Sequence, residues 1–140
     1  MQIVIAQSDN APGLEAIERT CFSSPWTAQQ FRDSMASGNY TFLAAQQRDI
    51  LGYMGYYTVD NQAFVTNIAV LPAHRAQGIA HSLIEHAKKQ LAGKQLLLEV
   101  RMSNHAAIKL YEKTGFVPTG VRKSFYTAPT EDALLMEIKL

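Results

Sequence analysis

Apolar positions fall in short blocks, and their period changes along the chain. Ile3-Val4-Ile5 reads as a first strand. Asn10 and Pro12 open a helix that Leu14, Ile17 and Glu18 carry to about Thr20. Ser23-Ser24-Pro25-Trp26 is a loop. Thr27 caps a second helix, with Phe31 and Met35 at i, i+4 on one face, and Ser37-Gly38-Asn39 ends it. Three runs rich in β-branched and aromatic residues follow: Tyr40 to Gln46, Ile50 to Val59, and Ala63 to Leu71. Gln47-Arg48-Asp49 and Asp60-Asn61 turn between them, and links this short predict antiparallel hairpins.

Pro72 stops the third run and a polar loop follows, His74 to Gly78. Ala80, Leu83, Ile84, Ala87 and Leu91 then repeat with helical period. Gln95 to Val100 is nearly continuously apolar, as in a central strand. Ser103-Asn104 opens another helix, with Ile108 and Tyr111 on its inner face and Gly115 just past its end. Phe116 to Tyr126 and Ala133 to Lys139 read as two last strands around Ala128-Pro129-Thr130. The order β-α-α-β-β-β-α-β-α-β-β predicts an α/β domain with a mixed sheet and helices on its faces.

Composition narrows this picture. A chain of 140 residues is expected to be one domain, spanning 1–140. Hydrophobic residues at 47% can build a core, and 18% charged residues argue against disorder. A net charge of +1 provides no field for nucleic acid or a membrane surface, so any phosphate must be held by local geometry. The single cysteine, Cys21, rules out a disulfide within the chain and is expected to pack. Met1 to Gln7 is too short and polar for a signal peptide, and no apolar run reaches the roughly 20 residues of a membrane helix. The expected setting is reducing and cytoplasmic.

Three features carry candidate chemistry. Arg75-Ala76-Gln77-Gly78-Ile79-Ala80 joins a strand to a helix, where small residues and free N–H groups suit a pyrophosphate. Taken alone, it reads rather as a plain strand-to-helix turn, and it matches neither nucleotide fingerprint. Glu99 stands within apolar Leu96 to Val100. A buried carboxylate needs a partner or a use, so it is expected either to pair with Arg101 at i+2 or to serve as a general base at the sheet's surface. Tyr111 is a core aromatic or a proton donor, and Asn104 an N-cap. His74, His81, His86 and His105 form no motif, and no metal site is expected.

Taken together, the chain resembles the GNAT (Gcn5-related N-acetyltransferase) superfamily. Asn67 to Pro72, the Arg75–Ala80 loop with its Arg/Gln-x-x-Gly-x-Gly/Ala pattern, Leu98 to Asn104, and Ala107 to Phe116 carry the match in order and spacing. The resemblance implies the GNAT fold: a mixed, mostly antiparallel sheet of about seven strands with helices on both faces. Cys21 to Trp26, the Leu-Glu-Val-Arg-x-Ser-Asn run, and Tyr126 with Glu131-Asp132-Ala133 are similar to the group that acetylates the N-terminal alanine of a ribosomal protein. The chain departs from that group at Ala76, where a basic residue is usual, and at Phe125-Tyr126, where Tyr-Tyr is usual.

The resemblance also implies roles. Ile68, Ala69 and Val70 would meet the pantetheine and acetyl group of acetyl-CoA. Arg75, Ala76, Gln77, Gly78, Ile79, Ala80 and His81 would surround the pyrophosphate, and Asn104 would touch the cosubstrate. Glu99 would be the base and Tyr111 the acid, without a metal. Pro25, Trp26, Tyr126, Glu131 and Asp132 would face the acceptor, the N-terminus of a ribosomal protein. The strands at Ile68–Val70 and Leu96–Val100 must then splay apart, and a bulge near Asn67 would splay them. The implied state is a monomer or weak dimer with no direct nucleic-acid or membrane contact. The rival readings are acetylation of another N-terminal residue, a lysine or a small amine, and a catalytically silent acyl-CoA binder.

Overall fold

Tight turns join three strands into a meander that builds the first half of the sheet. The computed structural model describes residues 1–140. Its elements are β1 (Gln2–Ile5), α1 (Ala11–Cys21), α2 (Ala28–Ala36), β2 (Tyr40–Gln46), β3 (Ile50–Val59), β4 (Gln62–Val70), α3 (Ile79–Gln90), β5 (Gln95–Arg101), α4 (His105–Lys113), β6 (Val117–Tyr126) and β7 (Glu131–Lys139). The seven strands lie in the order β1-β2-β3-β4-β5-β7-β6, and only the β4–β5 pair is parallel. The mixed, mostly antiparallel sheet expected from the sequence is the sheet observed.

Side-chain alternation divides the sheet between two cores. On one face Phe42, Ala44, Tyr53 and Ala69 pack against Leu14 and Ile17 of α1 and Phe31 of α2. On the other, Leu43, Ala45, Met54, Leu96, Leu98 and Met136 pack against Leu83, Ile84 and Ala87 of α3, with Ile108, Leu110 and Tyr111 of α4 at the margin. Helices therefore cover both faces. Because α1 and α2 pack on β2 to β4, the β5-β7-β6 half of that face carries no helix.

The caps show where local chemistry sets the ends. The Thr27 hydroxyl accepts from Gln30 N and the Gln30 side chain accepts from Thr27 N, a reciprocal box that starts α2. Asn104 Oδ1 accepts from Ala107 N and starts α4. Asn10 differs from expectation. Its side chain accepts from Gln7 N at 2.7 Å, closing the 3₁₀ turn before α1 rather than capping α1 itself.

Candidate active site

A break in the sheet makes the site. Opposite Gly55 and Tyr56 of β3 stand Asn67 and Val65, so Thr66 is the extra residue of a bulge in β4, adjacent to the expected position. Gly55 permits this crowding. A Cβ there would lie 2.6 Å from Thr66 Oγ1 and 2.9 Å from the Phe42 ring. Parallel pairing with β5 ends at Phe64 and Leu97. Beyond it Ile68, Ala69 and Val70 stay bonded to β3 on one side and have no strand on the other. The result is a notch with an open backbone edge, able to accept an amide-bearing ligand as a short extra strand.

The loop at the top of the notch has anion-binding backbone geometry. Ala76 has φ 62° and Gly78 has φ 81°, and α3 begins directly after them. The first intrahelical bond runs from Ser82 N to Gly78 O, so the N–H groups of Ile79, Ala80 and His81 have no acceptor within the helix. Gly78 has nothing within 4 Å of where a Cβ would sit, which leaves room for a ligand against the backbone. Arg75 lies beside the loop but is turned back. Its Nε donates to Val70 O at 2.9 Å, and one terminal nitrogen lies 3.7 Å from Cys21 Sγ.

Below the notch a groove of about 500 Å³ opens on the face that α1 and α2 leave bare. Tyr57, Phe64, Leu97, Leu135, Phe125 and Tyr126 give it apolar walls, and Glu99 is its carboxylate. The pairing expected of Glu99 fails. Leu98 and Val100 are buried on one face, so Glu99 points to the other and is exposed. Its ion pair is with Arg122 of β6 at 3.2 Å, not with Arg101. Arg101 reaches Glu131 instead, also at 3.2 Å. The sequence could not show either pairing, because β6 and β7 supply the partners from 23 and 30 residues away.

Residues 11–116 match the acetyltransferase (GNAT) family. The chain belongs to the GNAT acetyltransferase family. It is 38% identical to a Bacillus subtilis protein provisionally named a ribosomal protein bS18-alanine N-acetyltransferase, over 89% of this chain and 85% of that one. Identity to the Escherichia coli ribosomal protein bS18-alanine N-acetyltransferase is 31%, over 96% of this chain and 94% of the relative. The crystal structure of the ribosomal-protein-S18-alanine N-acetyltransferase from Escherichia coli superposes with a TM-score of 0.88 at 32% identity, covering 99% of this chain and 92% of that one.

Within this GNAT frame the predicted residues separate into groups. Tyr111 packs with Phe116, ring centroids 5.7 Å apart, on the α3 face of the sheet. Glu99 is on the opposite face and lines the groove, so the two candidates lie on opposite faces of the sheet. Burial, and after it the neighbouring Tyr126 phenol, push Tyr111 up to about 12. Burial first and then the Glu99 carboxylate also raise Tyr126, which is thus close enough to feel one candidate and to be felt by the other.

Glu131 and Asp132 are already engaged. Glu131 accepts from Ser103 N at 2.7 Å and from Arg101 at 3.2 Å. Hydrogen bonding from Ser103, its side chain first and then its backbone N–H, aided by the Arg101 guanidinium, holds its carboxyl below the ordinary carboxylate value. Asp132 accepts from Ser124 N at 2.8 Å, at a bulge of β6 where Ser124 has φ 52°. Both carboxylates shape the strand and turn that carry Phe125 and Tyr126 into the groove. Arg101 completes the arrangement, lying 4.4 Å from the Tyr126 ring centre and donating to Thr127 O and Pro129 O.

Sequence reasoning missed Arg101 and Arg122 as organisers of the groove, along with a buried cluster of Glu18, Tyr53 and Asn67. One signal for Glu18 was available. Ala11, Leu14 and Glu18 share one helical stripe, so a carboxylate was placed on the buried face of α1.

Proposed function

We propose that this protein moves the acetyl group of acetyl-CoA to the N-terminal alanine of ribosomal protein bS18, the acceptor for which its relatives are named. The observation that carries the reading is the continuity of three parts: an anion-ready helix start, a notch with an open strand edge, and a groove with a carboxylate. A cytoplasmic setting follows from a ribosomal-protein acceptor.

Acetyl-CoA, when bound, supplies a thioester carbonyl activated toward an amine. The backbone of Ala76 to His81 holds the pyrophosphate with fixed N–H dipoles, at low cost because the loop already has its φ values. The Ile68–Val70 edge pairs with the pantetheine amides, and an N–H beside the Thr66 bulge polarises the carbonyl. Asn104 keeps its Oδ1 for Ala107 N and turns its amide nitrogen to the cosubstrate. Glu99 takes the ammonium proton of the acceptor, directly or through water, since only a neutral amine attacks. Tyr111 keeps its proton at working pH and presents it to the departing sulfur from the α3 face. Pro25, Trp26 and Tyr126 border the acceptor, and no step calls for a metal.

The test is thiol release from acetyl-CoA with matched peptides that begin as bS18 does and differ only in residue one. Release with free N-terminal alanine alone, with one acetyl on that amine by mass spectrometry, is the expected result. Release with lysine-containing or small amines instead would replace the acceptor and keep the chemistry. Acetyl-CoA binding without release to any amine would sink the enzyme reading.

A further inference from the structure

Glu18 is 2% exposed, and no cation pairs with it. A carboxylate this deep requires hydrogen-bond donors, and it has three. Trp26 N donates to Oε1 at 2.9 Å. Tyr53 Oη donates to Oε2 at 2.6 Å and Asn67 Nδ2 donates to the same oxygen at 3.1 Å. Asn67 Nδ2 also lies 3.1 Å from Tyr53 Oη, which closes the cluster. Each donor belongs to a different part of the site. Asn67 is next to the Thr66 bulge that opens the notch. Tyr53 stands on β3. Trp26 ends the loop between α1 and α2, where its ring meets Phe31 at 5.4 Å and Phe42 at 6.4 Å.

The placement is selective. Glu15, one turn earlier, accepts from Ala28 N at 2.8 Å at the start of α2 and pairs with Arg19 of its own helix. Glu18 alone joins that loop to the bulge. A recess of about 70 Å³ lies beside the carboxylate, lined by Trp26, Tyr53, Asn67 and Thr66, and Thr66 also lines the large groove. Packing alone does not call for this cluster, since apolar side chains replacing Glu18, Tyr53 and Asn67 together would fill the same space without burying a carboxyl group.

We infer that Glu18 is a positioning residue that locks the Trp26 loop to the β4 bulge, so that acceptor wall and notch keep one geometry. The inference rests on the acetyl-transfer reading of the groove. Glu18→Gln keeps size but replaces one accepting oxygen with an amide nitrogen, so either Trp26 N or the Tyr53–Asn67 pair loses its acceptor. Asn67→Ala cuts only the arm to the bulge and guards against a Glu18 variant that does not fold.

Two readouts are needed. Trp26 is the single tryptophan, so its emission and acrylamide quenching report the loop directly. Steady-state kinetics with the best peptide report the consequence. Both variants are expected to quench more readily, with acceptor KM raised and kcat lowered by about tenfold each. Unchanged quenching overturns the inference. Changed quenching with wild-type KM and kcat also overturns it, since the cluster would then be structural only. Failure of the acetyl-transfer reading shows separately, as a wild-type enzyme that turns over no amine. The tether is then judged on acetyl-CoA affinity, which loosening of the bulge weakens several-fold and an idle Glu18 leaves unchanged.

Discussion

Glu99 is the carboxylate that lines the groove, and Glu131 is bound by Ser103 and Arg101, so the proposed reaction would bring the incoming amine to Glu99. Its pair with Arg122 is a half-exposed surface contact, of a kind that contributes about 0–1 kcal/mol and yields readily to a competing cation. In the proposed reaction the acceptor ammonium would be that cation. Glu99→Gln is expected to lower kcat about 10²-fold or more. The loss should be steepest below the amine pKa of about 8, where the acceptor is mostly protonated. A pH profile of kcat/KM for both enzymes checks it, and a loss that is flat with pH would remove Glu99 from proton transfer. Tyr111 makes a different prediction. A phenol pushed up to about 12 is neutral below that pH, so it contributes no titration to the rate between pH 6 and pH 10. Tyr111→Phe should therefore lower kcat by the same factor at every pH in that range, roughly 10- to 100-fold. An unchanged kcat would leave Tyr111 as packing for Phe116.

The bulge and the β6–β7 turn are the elements that give those residues their setting. Gly55→Ala would press a methyl onto Thr66 and the buried Phe42 ring, which costs about 1–3 kcal/mol and moves the bulge. Chemical denaturation should show the loss, and acetyl-CoA affinity should fall with it. If stability falls while affinity holds, the bulge tolerates the shift. The β6–β7 turn carries a pH signature. Glu131 sits below its ordinary value of 4.5 when folded, so its tether is fully present above that value and is lost as pH falls through the lowered one. Hydrogen exchange at Ser103 N, corrected for intrinsic rates, should quicken across that acid window, and Glu131→Gln should remove the dependence. The contrast between these elements explains what was legible. Every strand and α-helix was readable from local period, caps and turns, and Tyr40–Gln46 and Ile50–Val59 have the predicted ends; the short 3₁₀ turns at Ser8–Asn10 and Pro72–His74 were not. The bulge near Asn67 came from the resemblance. The partners of Glu99, Arg101 and Glu18 were not readable, because each is set by strand register or helix docking between distant segments. Register also set the exposure of Glu99. An apolar run does not say which face a strand leaves bare, and here the β5-β7-β6 half lacks a helix on that face.

At the scale of the molecule, the sheet is two halves with a thin seam. The β1-β2-β3-β4 half and the β5-β7-β6 half meet through three register pairs, Gln62–Gln95, Ala63–Leu96 and Phe64–Leu97. The α3-side core spans the seam, and Lys88 of α3 donates to Thr114 O at 2.8 Å just past α4. The opposite face has no such bridge beside the notch, since its core belongs to the first half. A pantetheine lying along Ile68–Val70 would fill the gap and lend hydrogen bonds to both walls. Its binding should therefore protect backbone amides on both sides of the notch. Hydrogen exchange with and without acetyl-CoA checks this: slowing is expected in 66–70 and 97–101 together, beyond the loop at 76–81. Global stability should rise by about 2.7 kcal/mol at a ligand concentration 100 times Kd, as linkage requires for any ligand of the folded state. The exchange pattern is the discriminating part. Protection confined to 76–81 would mean that the nucleotide end binds and the notch stays open. The seam would then be a site that closes only when the acceptor arrives.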